Sequence, residues 1–140
     1  MIPLSTACFD PKWFYANQKQ GYHWKDKNGV WNGLRAEPFM PGPMCEHDCR
    51  GPEYCDTNNP STCAFLRHYR YQLNELDFNA IMTHFEKLGK KIQEKEGFFE
   101  DPVLVLIVHE APSNPCSERW VIKDWFAANG YDLQEWSKDI

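Results

Sequence analysis

The sequence predicts an α/β fold: a small, mainly parallel sheet flanked by helices in a Rossmann-like three-layer arrangement, with a cysteine-rich loop inserted in it. Three observations predict this. Val103 to Val108 is an unbroken apolar run, largely β-branched, bounded by Pro102 and a polar loop. A short run of that kind suits a strand buried on both faces, as in a parallel sheet. Phe78, Ile81, Met82, Phe85, Leu88 and Ile92 recur at spacings of three and four, the signature of an amphipathic helix. Strand-like and helix-like segments also alternate along the chain, the order that α/β proteins follow. With 140 residues, the chain is expected to make one compact domain over residues 1–140, with 44–63 a loop within it.

Taken in order, Ile2 to Ala7 reads as the first strand, ended by Cys8, Phe9, Asp10 and Pro11. Pro11 can sit in the first turn of a short helix, Lys12 to Asn17. Asn28-Gly29 lies between two aromatic-containing flanks within Gly21 to Gly33, which signals a hairpin. Leu34 to Phe39 reads as a further extended segment, stopped by Pro38, Pro41 and Pro43. Met44 to Cys63 has no apolar periodicity and is read as a loop. A helix begins at Asn59-Pro60-Ser61 and runs through Leu66, Tyr69 and Leu73. Asp77 is the N-cap of the amphipathic helix, and Lys90, Lys91 and Lys95 form its solvated end, where cations suit the helix dipole. After the apolar strand, Ala111 to Cys116 holds two prolines and an asparagine and must be a loop. Ser117 then caps a helix that reaches Asn129 and Gly130. Tyr131 to Trp136 adds a short edge strand or a last turn.

Six Trp, six Tyr and nine Phe argue against disorder. A net charge of −5 removes any global attraction to nucleic acid or anionic lipid, so non-specific nucleic-acid binding is not expected. Met-Ile-Pro-Leu-Ser does not read as a signal peptide, and no apolar run approaches membrane-spanning length. The expected location is the cytoplasm, where cysteines tend to be reduced, metal-bound or catalytic.

Val103 to Trp125 is the expected functional centre, because it sets a strand end, a polar loop and a helix N-terminus side by side. Arg119, in the first helical turn, could grip a phosphate or carboxylate with a bidentate fork. The competing role is a salt bridge to Glu118 or Glu110. Glu110 is the acid–base candidate, against a structural role bonding loop amides near Ser113 and Asn114. His109 is a weaker candidate, and Ser117 as nucleophile competes with its N-capping role. Ser5 at the first strand's end, Asn114 in the loop and Tyr22 in the hairpin are the ligand-contact candidates, the last by stacking alongside Trp24 and Trp31; the equal alternative is that those rings cover the sheet edge. Cys8 and Cys116 each follow a strand, so in neighbouring parallel strands both thiols would share one sheet edge; two buried small apolar side chains are the alternative.

Cys45, Cys49, Cys55 and Cys63 form C-x3-C-x5-C-x7-C in one loop, with His47 between the first two. Tetrahedral zinc on four thiolates is the simplest explanation, followed by an iron–sulfur cluster, then disulfides or free thiols.

The order of elements resembles the bacterial and phage domain-of-unknown-function family numbered 488. Leu34-Arg35-Ala36-Glu37-Pro38 is similar to its Leu-Ala-Pro-like segment, and Tyr69-Arg70-Tyr71-Gln72-Leu73 with Leu76-Asp77 to its Tyr-rich helix and "Leu-Asp" helix start. Val103 to Glu110, Ser117-Glu118-Arg119 and Trp125 are similar to its last strand and the Cys-His-Arg helix that follows. Only the arginine of that triplet is retained; Cys116 sits one position early. The resemblance spans nearly the whole chain and implies an α/β fold and a site, not a reaction. It also implies Arg35 and Glu37 as pocket residues.

Two functions compete on these grounds. One is an enzyme acting on a phosphorylated or nucleotide-like small molecule, with a structural metal loop. The other is a metal-stabilised binding or regulatory module contacting protein or nucleic acid.

Overall fold

β1 (Ile2–Ser5) is the middle strand of a three-strand parallel sheet. It lies between β4 (Leu34–Arg35) and β5 (Leu104–Ile107). The computed structural model describes residues 2–6, 14–15, 31–42, 58–59, 62–97, 103–108 and 116–135. The chain forms two compact units, Met1–Met40 with Asp77–His109, and Pro41–Leu76 with Glu110–Ile140.

In the first unit, Leu4 of β1 pairs with Leu34 and Ser5 with Arg35. On its other side β1 runs in register with β5 from Ile2–Leu104 to Ser5–Ile107. A proline in a central strand ordinarily breaks a rung of the ladder. Here the Ser5 carbonyl accepts the Ala36 N–H at 2.7 Å, so Ser5 faces β4, while Thr6 N–H donates to Ile107 O on the β5 side at 2.9 Å. Backbone groups alternate sides along a parallel strand, so Pro3 faces β4, whose pairing begins only at Leu4. The missing N–H therefore has no rung to break. Thr6 also donates its Oγ1 hydrogen to the same Ile107 carbonyl at 3.0 Å, fastening the two strand ends.

The structure corrects two expectations in this unit. Among the described residues β5 pairs with β1 alone; its four residues are half-buried and Val103 is 58% exposed. An apolar run identifies a strand but does not say whether that strand is central or at an edge. Phe14–Tyr15, expected within a short helix, is instead β2, paired in parallel with β3 (Trp31–Asn32). Two adjacent aromatics favour a pleated strand, and that preference outweighs the helix-start signal of Pro11. The Asn28-Gly29 hairpin turn lies outside the described residues.

The segment from Leu34 is extended for two residues only, then turns into a short 3-10 helix, Glu37–Phe39, with Pro38 in its opening turn. Fixed φ makes proline a natural opener of such a turn. α2 (Phe78–Glu96) follows in this unit, with the Asp77 carboxylate accepting the Ala80 N–H at 3.2 Å as its N-cap. Gly97 ends it in the left-handed conformation, φ 69°. Ile81 and Ile92 of its apolar stripe are buried, and Phe85 stacks on the wholly buried Phe39 with ring centroids 5.9 Å apart.

The described elements of the second unit are mainly helices. α1 (Ala64–Asn74) and α3 (Glu118–Ala128) pack on each other. α1 buries Leu66, Tyr69 and Leu73, as its spacing predicts, but it starts at Ala64, later than Asn59-Pro60-Ser61 implies. α3 buries Val121, Ile122, Trp125 and Phe126. After Gly130 (φ 81°) the chain folds back: Tyr131 N–H donates to Phe126 O at 2.9 Å and its ring lies 5.5 Å from that of Phe126. Residues 131–135 form no strand. Among the described residues no helix is long and apolar enough to cross a membrane.

Candidate functional site

The first unit contains an open cleft of about 720 Å³ at the carboxyl end of β4. That volume lies within the ~300–1,000 Å³ typical of small-molecule sites, and strand carboxyl ends are where open parallel sheets bind ligands. One wall is the run Leu34-Arg35-Ala36-Glu37-Pro38; the other is α2 through His84, Phe85 and Leu88, with Leu4 at the base.

Local chemistry fixes the first wall. The Ala36–Ser5 hydrogen bond ties the end of β4 to β1, and Ala36 is buried at 3% exposure. Phe39 N–H to Ala36 O at 2.9 Å and Met40 N–H to Glu37 O at 3.1 Å then close the 3-10 turn. Burial of Ala36 leaves its neighbours Arg35 and Glu37 as exposed side chains on the cleft. On the second wall His84 and Leu88 are four residues apart, hence on one helix face. Phe85 is half-buried and backed by Phe39, which restrains its ring; the His84 ring is tilted 48° to it at 5.9 Å. The cleft thus combines a cation, a carboxylate and an imidazole with an aromatic and aliphatic floor.

A smaller cleft of about 200 Å³ lies in the second unit, lined by Leu73, Val121 and Trp125, with the Arg70–Asp124 ion pair (3.2 Å) beside it. It falls below the size of a typical ligand pocket.

Of the residues expected from sequence, Arg35 and Glu37 come together in the larger cleft. Ser5 pairs with Arg35 in register but is fully buried, and Leu4 rather than Ser5 lines the cleft. Ser117 caps α3, its Oγ accepting the Arg119 N–H at 3.1 Å, and is itself fully buried. The Arg119 guanidinium pairs with Glu135, Nη1 to Oε2 at 2.6 Å, a partner the sequence did not single out. Cys116 is buried at 7% exposure and Cys63 is half-buried, and neither is in a disulfide. Glu110, Asn114, Tyr22, Cys45, Cys49 and Cys55 lie outside the described residues, as do His109, Cys8 and Trp24. Among the described residues no group of three or more His, Cys, Asp or Glu could hold a metal ion; of the four loop cysteines, only Cys63 is described.

His84 is the cleft residue that the sequence reading passed over. It stands three residues after Ile81 and four before Leu88, at the margin of the apolar stripe, and that position is the signal that could have found it.

No family model matches the chain, and neither a curated protein nor a solved structure matches it. The chain is thus described by its own architecture, a small α/β protein with a polar-walled cleft at a strand end.

Proposed function

We propose that the chain is an enzyme acting on a phosphorylated or nucleotide-like small molecule, held in the cleft between the end of β4 and α2. The observation that carries this reading is Arg35, a guanidinium on the wall of a ligand-sized cleft at the carboxyl end of a parallel strand. Arg35 would hold the anionic group through a charge-assisted fork. Glu37 and His84, on opposite walls, would supply acid–base chemistry. Arg119 is given no part in it, since it belongs to the other compact unit. The parallel order β4-β1-β5, with the first strand central, is compatible with the Rossmann-like three-layer arrangement that we propose for the chain.

Calorimetric titration with adenosine monophosphate tests the site. Arg35→Ala is expected to weaken binding by about tenfold or more, the cost of losing a charge-assisted hydrogen bond. Unchanged affinity in a folded Arg35→Ala protein would falsify the anion site.

A bound metal is the second part of the proposal, supported by the C-x3-C-x5-C-x7-C spacing of Cys45, Cys49, Cys55 and Cys63. Zinc is the ion proposed, with an iron–sulfur cluster the alternative that colour would reveal. Elemental analysis of protein purified without chelator should find about one zinc per chain. A metal-free preparation with full thiol reactivity at these positions would rule the site out.

A further inference from the structure

We infer that the ligand of this cleft is an aromatic molecule with a single anionic group, its ring lying against Phe85 and its phosphate or carboxylate on Arg35. The inference rests on the proposed anion site and specifies what else the cleft recognises.

Two features lead there. The first is the α2 wall. Phe85 lines the cleft and is backed by Phe39, which is fully buried, in a stacked arrangement with 20° between the ring planes. A ring backed in this way loses little freedom when a second ring lies on it, so the site is prepared for a flat partner before binding. Leu4, Leu34 and Leu88 extend the same apolar surface around it. A sugar phosphate or a small inorganic anion would leave that surface against water and gain nothing from it.

The second feature is charge. Among the described residues Arg35 is the cleft's one guanidinium, and Glu37 stands two residues away on the same wall. Arg35 is thus the one permanent cation that the described residues set against an anion, and they give no counter-charge for a second or third anionic group. A triphosphate would set its further charges against Glu37. The same carboxylate can accept hydrogen bonds from an exocyclic amine or ring N–H, groups that nucleobases and aminoaryl acids present on their edges. A nucleoside monophosphate and an aminoaryl carboxylate share this chemistry, and the volume of about 720 Å³ admits either.

The experiment compares four probes by calorimetric titration: adenosine monophosphate, adenosine triphosphate without metal, 2-aminobenzoate and ribose 5-phosphate. At least one of the first and third should bind about tenfold or more tightly than ribose 5-phosphate, the margin that stacking on an aromatic side chain supplies. The triphosphate should bind more weakly than the monophosphate. Phe85→Leu, which keeps an apolar side chain against Phe39, should erase the advantage of the aromatic probe and leave ribose 5-phosphate unchanged; Arg35→Ala should weaken both. Magnetisation transfer in the unaltered protein, from the Phe85 ring to the protons of the bound ring, gives a readout that does not depend on a variant folding. Ribose 5-phosphate binding as well as the aromatic probes, with no transfer from Phe85, overturns this inference and leaves the anion site standing. Failure of all four probes, or indifference to Arg35→Ala, overturns the anion site itself. Which aromatic probe binds decides between a nucleotide and an aryl acid.

Discussion

Asp77 and Ser117 perform the same task in different surroundings. Each accepts a backbone N–H at the start of a helix, Asp77 from Ala80 at 3.2 Å and Ser117 from Arg119 at 3.1 Å. Asp77 is exposed, so water can replace its carboxylate; Ser117 is fully buried, so water replaces its hydroxyl less readily. Asp77→Ala is expected to cost about 0.5–1 kcal/mol and Ser117→Ala about 1.5–2 kcal/mol, within the usual range for lost caps. Urea unfolding of the two variants checks the order, and a larger loss at Asp77 would contradict it. The Arg119–Glu135 pair is a useful contrast. Its distance is short at 2.6 Å, but Glu135 is 47% exposed, so solvent screening keeps its contribution near the ~0–1 kcal/mol of surface pairs. Both caps were legible in the sequence, because capping is chemistry among residues two or three apart. Arg35 was legible only by resemblance, and His84 not at all. Nothing local to either residue says that β4 and α2 face each other across a cleft.

Among the elements, the helices followed their sequence signals closely. Leu66, Tyr69 and Leu73 recur at three and four, and all three are buried on α1. Leu73 is wholly buried and lines the small cleft against Val121 and Trp125 of α3. Leu73→Ala should therefore cost about 2–5 kcal/mol, as deletion of a core leucine does, whereas Tyr71→Ala, at a ring 69% exposed, should change stability by about 0.5 kcal/mol or less. Thermal unfolding distinguishes them; similar losses would mean that the packing face is misassigned. The strands were harder to read, for a physical reason. A helix carries its period over eleven or nineteen residues, whereas β4 has two residues and β1 four. So short a run shows no alternation, and its place in the sheet depends on partners far away in the chain. Val103 to Val108 reads as a strand buried on both faces, yet among the described residues β5 pairs on one side only; Ile2-Pro3-Leu4-Ser5, with its proline, is the middle strand.

On the scale of the molecule, the chain passes between the two compact units three times, at Met40–Pro41, Leu76–Asp77 and His109–Glu110. Each unit is thus made of two stretches separated in sequence. A cut between Leu76 and Asp77 would part β1 and β4 from β5 and α2, and α1 from α3. Residues 1–76 and 77–140 expressed separately are expected not to fold, because neither retains the whole three-strand sheet or the α1–α3 pair. Dispersed amide resonances from either fragment alone would contradict this. The division into two units was not legible in the sequence, since no linker marks the crossings: they fall beside Pro41, at the Asp77 cap and just past an apolar strand.

The central position of β1 also sets a timetable for synthesis. The bond that fastens its end, Thr6 to Ile107, joins residues 101 apart. Chains grow at roughly 5–20 residues per second, so the strand made first waits about 5–20 s for its second partner. Until then Leu4, destined to be 1% exposed, has at most the two residues of β4 to pair beside. Sheet assembly thus waits for β5 to be made, and the growing chain carries an open strand edge until it emerges.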